Sequence, residues 1–303
     1  MTKRKITIWG APGSGKTTFL AALYIAVTRS KLGWSVVPKD DAAIERFSTM
    51  TAQLVEGREF PEVTSHLAEL DCRLVGPPRT QRRPWFRRAP VAESTNVDLS
   101  LVDMPGAFFG TRLSSEPVDL LTGSDGLLFL FDPIREFQSG DSFDYFHRVL
   151  YSLAYRTMAS DASTRLLPHR LAVCVTKFDD VRVLATAERL GLVTTDPDDP
   201  YHLPRVDPQD TEELFTALCE RSASGNGDML LSMIRQFFRP ERVRFFATSA
   251  IGFHVDPARR VFDPDDVQNV VPSEEGHRIR GAIQPINVLE PILWLADQLS
   301  LDG

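Results

Sequence analysis

Short apolar runs bounded by turn residues alternate along this chain with longer stretches of helical period. Ile6-Thr7-Ile8-Trp9 reads as a buried strand, and after a glycine-rich turn Phe19, Leu20, Leu23 and Val27 recur at helical spacing within residues 17–29. Residues 127–131, 171–175 and 243–247 are further apolar runs, short enough to be strands covered on both faces. Helical patterns at 145–158, 212–220 and 229–238 fall among them, and Val288, Ile292, Leu295 and Leu299 mark a closing amphipathic helix in 286–299. This alternation predicts an α/β fold, a mostly parallel sheet flanked by helices on both faces.

Two segments break the rule. Residues 69–75 and 96–101 alternate polar with apolar, as half-exposed strands do, and can pair antiparallel at an edge of the sheet. Between them, 76–95 reads as a loop with four prolines and with Arg79, Arg82, Arg83, Arg87 and Arg88 set around Trp85 and Phe86. Those arginines either contact phosphates or an acidic protein, or stay solvated. Segments near 191–208 and 252–285 are rich in Asp and Pro and show no packing period. With no repeat and no clean linker, residues 1–303 read as one domain carrying three loop insertions.

Composition narrows the class only a little. An apolar fraction of 43% and a charged fraction of 25% suit a globular chain, and the net charge of -7 gives no general attraction for nucleic acid or anionic lipid. Cys72, Cys174 and Cys219 stand apart, without zinc spacing or a disulfide framework, and the six histidines form no local cluster. Met1-Thr2-Lys3-Arg4-Lys5 leads directly into a strand, and no stretch approaches the ~20 apolar residues of a membrane span. A soluble, cytoplasmic protein is the expectation.

The candidate chemistry lies at strand ends. Gly10-Ala11-Pro12-Gly13-Ser14-Gly15-Lys16-Thr17 matches G-x-x-x-x-G-K-[ST] in full, after a strand and before a helix. Glycines there let several backbone N–H groups converge on phosphates, and the following helix adds its positive end. Gly10, Pro12, Gly13, Ser14, Gly15, Lys16, Thr17 and Thr18 are thus candidate phosphate-binding residues, with Lys16 on the β- and γ-phosphates and the Thr17 hydroxyl on Mg2+. Asp103-Met104-Pro105-Gly106 fits D-x-x-G: Asp103 can hold Mg2+ through water, and Gly106 can offer its N–H to a γ-phosphate. Thr176-Lys177-Phe178-Asp179 fits [NT]-K-x-D, in which Asp179 accepts from guanine N1–H and its exocyclic amine while Lys177 covers the base. Adenine lacks both donors and would leave that carboxylate unpaired. Ser249-Ala250 follows the next apolar strand, where a backbone N–H can meet guanine O6.

Taken together, these four motifs resemble those of the small Ras-like GTPases of the translation-factor-related class. Phe19-Leu20-Ala21-Ala22-Leu23 and Asn287-Val288-Leu289-Glu290-Pro291-Ile292-Leu293-Trp294 are similar to the bacterial double-GTPase group. The resemblance implies a Ras-like P-loop NTPase fold, GTP/GDP and Mg2+ as ligands, and a two-state GTPase, whose turnover the residues after Gly106 would make slow. It also implies a protein partner, a second GTPase or a dimer, in bacterial signalling. Such enzymes need a first-switch threonine on Mg2+ and the γ-phosphate. Thr64 is the choice here, with Thr51 and Thr49 as alternatives. They often place a water-orienting glutamine after D-x-x-G, yet this chain has Ala107, then Phe108 and Phe109. Gly13 stands where potassium-using relatives have an asparagine. Arg58, as a catalytic group in cis, Arg112, or a partner would then supply the missing function. A non-hydrolysing guanine-nucleotide scaffold is the rival reading.

Overall fold

The computed structural model describes residues 5–30, 32–61, 68–79, 93–103, 115–160, 166–274 and 276–301. The chain opens with β1 (Ile6–Gly10) and α1 (Lys16–Arg29), followed by β2 (Ser35–Pro38) and α2 (Asp41–Ala52). Asp40 starts α2 by accepting the N–H of Ala43, and the helix buries Ala43, Phe47 and Met50 before widening into a π-helical turn at Gln53–Gly57. Next come β3 (Ala68–Arg79), β4 (Glu93–Asp103), α3 (Ser115–Thr122), β5 (Gly126–Phe131), α4 (Pro133–Gln138) and α5 (Ser142–Ser160). The second half holds β6 (Arg170–Val175), α6 (Val181–Arg189), β7 (Val193–Thr195), β8 (Pro204–Val206), α7 (Thr211–Cys219) and α8 (Asp228–Phe237). It closes with β9 (Val243–Ala247), β10 (Val270–Ser273), β11 (Gly276–Ile279) and α9 (Glu290–Leu301).

The fold is α/β. β1, β5, β6 and β9 pair in that order, all parallel, and every residue of β1, β5 and β6 is buried. Successive side chains of a strand point to opposite faces, which divides the apolar residues into two cores. Ile8, Leu128, Leu130, Ala172 and Cys174 pack with Phe19 and Leu23 of α1 and Ile292 and Leu295 of α9. Trp9, Phe129, Phe131 and Val173 pack on the other side with Phe146 and Val149 of α5, Phe215 of α7 and Ile234 of α8.

The alternating segments pair antiparallel, as β3 and β4, and β4 packs beside β1. Their alternation has a visible cause: Leu70, Cys72 and Leu74 are buried, while Arg73 faces solvent and binds Asp98 directly across the pair at 2.8 Å. This is the antiparallel edge expected from the alternation. β2, not foreseen because its four residues are too short to display a period, adds outside β3 to make a three-stranded sheet.

The insertions contain more structure than their composition suggests. β3 and β4 extend into 76–95 from both ends, while residues 80–92, with Arg82, Arg83, Trp85, Phe86, Arg87 and Arg88, lie outside the described residues. The 191–208 segment holds the β7–β8 hairpin, with the carboxylate of Asp199 accepting the N–H groups of Tyr201 and Leu203. Within 252–285, β10 and β11 form another hairpin. The closing helix starts at Glu290 rather than at 286, because Ile286 first pairs with Ser249 and Asn287 takes a φ of 49°. Among the described residues, no helix is long and apolar enough to cross a membrane.

Candidate functional site

β1 ends at Gly10 because the chain must turn there beneath β5. A Cβ on Gly10 would lie 2.7 Å from the carbonyl of Leu130 and 2.6 Å from the Ser14 hydroxyl, so only glycine permits this approach. Ser14 N–H donates to Ala11 O at 3.1 Å and closes the loop, and Gly15, with φ 85°, redirects the chain into α1. No atom lies within 4 Å of a Cβ built on Gly15, so its left-handed backbone, not crowding, demands glycine. The Lys16 ammonium reaches back over the loop and donates to the carbonyls of Gly10 at 3.0 Å and Ala11 at 3.1 Å. The first turn of α1 has no acidic residue, so the N-terminal N–H groups keep their positive character. The Ser14 hydroxyl is buried and has no hydrogen-bond partner among the described residues, an orphan donor that a phosphate oxygen fits.

At the other end, the loops after β6 and β9 are locked together. The Thr176 hydroxyl donates to Phe131 O, Phe178 N–H donates to Thr248 O, and Thr248 N–H donates to Val175 O. The Phe178 ring is fully buried edge-on against Phe253, which fixes the residue on either side of it. Asp179 is thereby held almost wholly buried, with Oδ1 accepting from the Ser249 hydroxyl at 2.5 Å, and Ser249 Oγ in turn accepts the Gly252 N–H at 2.7 Å. Burial pushes the Asp179 carboxyl up to about 6, and the Ser249 hydrogen bond works against that rise. Lys177 takes a φ of 56° and its ammonium binds the buried carboxylate of Asp132 at 2.6 Å, which lays the aliphatic stem along the site.

A single cavity of about 730 Å³ joins the two ends, within the roughly 300–1,000 Å³ of small-molecule sites. Of the residues singled out from sequence, Pro12, Gly13, Ser14, Gly15, Lys16, Thr17, Thr18, Thr176, Lys177, Asp179 and Ala250 line it. Gly10 and Ser249 do not line it: they act from behind, one by admitting the turn and the other by holding Asp179. Arg58 is exposed, and its guanidinium donates to Arg280 O at 2.9 Å. Thr49 and Thr51 sit within α2, away from the cavity lining. Thr64, Gly106, Ala107 and Arg112 lie outside the described residues, and Asp103 is described only as the last residue of β4.

Sequence reasoning missed the wall built by α4. Asp132 caps that helix by accepting the N–H groups of Ile134 and Arg135, while holding Lys177 with its other oxygen. Arg135, paired with Asp141, also donates to Pro12 O at 3.2 Å and so ties α4 to the phosphate loop. The signal was present: Asp132-Pro133 is an N-cap followed by proline at the first helical position. Gln268, Asn269, Val270, Pro272 and His277 of the third insertion also line the cavity and were unforeseen.

No protein-family model and no curated protein sequence matches the chain. Among solved structures it is similar to a signal recognition particle receptor SRb-GTP/SRX complex from Chaetomium thermophilum, at 14% identity and a TM-score of 0.40, over 86% of this chain and 96% of that one. It is similar also to the S. cerevisiae Ski7 GTPase-like domain bound to GTP, at 12% identity and a TM-score of 0.42, over 98% of this chain and 50% of that one. A bacterial selenocysteine-specific elongation factor shares 14% identity at a TM-score of 0.30, over 63% of this chain and 23% of that one. These are distant likenesses, and the chemistry of the site rests on this chain's own residues.

Proposed function

We propose that this protein binds guanine nucleotide with magnesium and hydrolyses GTP slowly, acting as a two-state switch. One observation carries the reading: a buried carboxylate, Asp179, fixed by Ser249 in the same cavity as a complete phosphate loop. Asp179 accepts from guanine N1–H and the exocyclic amine, and the stem of Lys177 covers the base. The Ser249 N–H is committed to Ile286 O, so the donor toward guanine O6 is the N–H of Ala250, which lines the cavity. At the phosphate end, Lys16 exchanges its two carbonyl partners for phosphate oxygens, while the loop N–H groups and the Ser14 hydroxyl surround them.

Oxygen donors of the kind that Thr17, Asp103 and Thr64 carry suit magnesium, and they would hold it. The ion supplies charge neutralisation at the β- and γ-phosphates when bound. Turnover is slow because Ala107 cannot orient water, and a cis role for Arg58 requires release of its bond to Arg280 O. A partner protein, a second copy or a related GTPase supplying the group is the proposed remedy.

Ala107 also favours a second reading, a scaffold that binds GTP without cleaving it. Single-turnover phosphate release separates the two. The base assignment is tested by competition against labelled GDP: GTP displaces it and ATP does not. Asp179→Asn shifts preference toward xanthine nucleotides, whose exocyclic oxygen accepts from an amide; an unchanged guanine preference would sink the assignment.

A further inference from the structure

Resting on the nucleotide reading above, we infer that the β10–β11 hairpin is a further wall of the nucleotide site and that Gln268 and His277 contact the bound nucleotide. Gln268 and Asn269, just ahead of β10, and Val270 and Pro272 within it all line the cavity that the phosphate loop and Asp179 line. His277 pairs with Pro272 across the hairpin, which puts it on that same face, and it lines the cavity too. Five residues of the hairpin and its base therefore line the cavity, which one chance side chain would not explain. The face offers two apolar side chains and two that hydrogen-bond. A nucleotide seated between the phosphate loop and the base loop has its ribose–phosphate portion available to such a face.

The hairpin is held at both edges. Asn269, nearly inaccessible to solvent, accepts the Gly281 N–H at 2.7 Å and donates to Ile251 O and Ala282 O, joining the hairpin base to the loop that fixes Asp179. Its outer strand is gripped by the segment after α2: Ile279 N–H donates to Arg58 O at 2.8 Å, Glu59 bridges Arg278, and the Arg58 guanidinium returns to Arg280 O. Phe60 and Pro61 follow at once and line the cavity as well. The wall is therefore braced rather than loosely hung. Here Arg58 works as a strap for the hairpin.

Gln268 and His277 are exposed, so the double variant Gln268→Ala/His277→Ala should fold and melt like the wild type without nucleotide. Its release of labelled GDP should be faster by roughly threefold to tenfold per lost hydrogen bond, and in the wild type GDP should slow amide exchange across Val270–Ser273 and Gly276–Ile279. A double variant that releases GDP at the wild-type rate overturns the inference, as does unaltered exchange in those strands, and both leave guanine-nucleotide binding intact. A wild-type chain that binds no guanine nucleotide removes the parent reading and the hairpin contact together.

Discussion

For Asp179 to accept two guanine donors its carboxyl must be ionised, and burial has moved that ionisation to about 6. Guanine-nucleotide affinity should be level above that pH and fall as pH drops below it, approaching about tenfold per unit. The free protein has the opposite slope. Between the ordinary value of 3.8 and about 6 the folded group holds a proton that the unfolded group has lost, so this group's contribution to stability declines as pH rises through the window. Ser249→Ala removes the donor that favours the charged carboxylate, so the affinity midpoint should move upward. Labelled-GDP titrations from about pH 5 to about pH 8 check this, and an unmoved midpoint would mean Ser249 does not govern the charge. Gly10→Ala is a steric counterpart. Its new methyl meets backbone at Leu130, and chemical denaturation should show a loss of about 1–3 kcal/mol.

Among the elements, α4, of six residues, with its cap Asp132, is tied to both Lys177 and Pro12. Asp132→Ala should cost about 1 kcal/mol of helix cap in a denaturant titration. The same change releases the Lys177 ammonium and loosens the path from Arg135 to Pro12, so GDP should also dissociate faster. A stability loss with unchanged nucleotide release would leave α4 a purely structural helix. This element also shows where sequence reading stops. The phosphate loop and the base motif are contiguous strings whose chemistry is local, and they were legible at once. Asp132 lies 45 residues from Lys177, and Arg135 lies 123 from Pro12, so only topology brings them together. The core strands were readable because burial on both faces leaves unbroken apolar runs such as Leu127-Leu128-Phe129-Leu130-Phe131. β7, β8, β10 and β11, of three or four residues each, are too brief to carry a period and read as loop. α2 was missed although Ala43, Phe47 and Met50 are correctly spaced, because three buried residues among nine exposed or partly exposed ones give a weak stripe.

At the scale of the whole molecule, the cavity collects loops from both halves of the chain, so nucleotide should stabilise the fold as a unit. GDP at a hundredfold excess over its Kd should add about 2.7 kcal/mol and raise the melting temperature by about 5 °C or more, while ADP should do neither. Equal shifts with both would contradict guanine selectivity. One fastening has a practical consequence. Ser249 and Ile286 exchange both backbone hydrogen bonds, and Asn287 donates to Ala247 O. The Ser249 loop that holds Asp179 is therefore sewn to the chain just ahead of α9, whose Ile292 and Leu295 help fill one of the two cores. A fragment cut after residue 285 would keep the four motifs at Gly10, Asp103, Thr176 and Ser249 and lose both their stitching and their floor. The folded unit reaches past the last of those four motifs into α9.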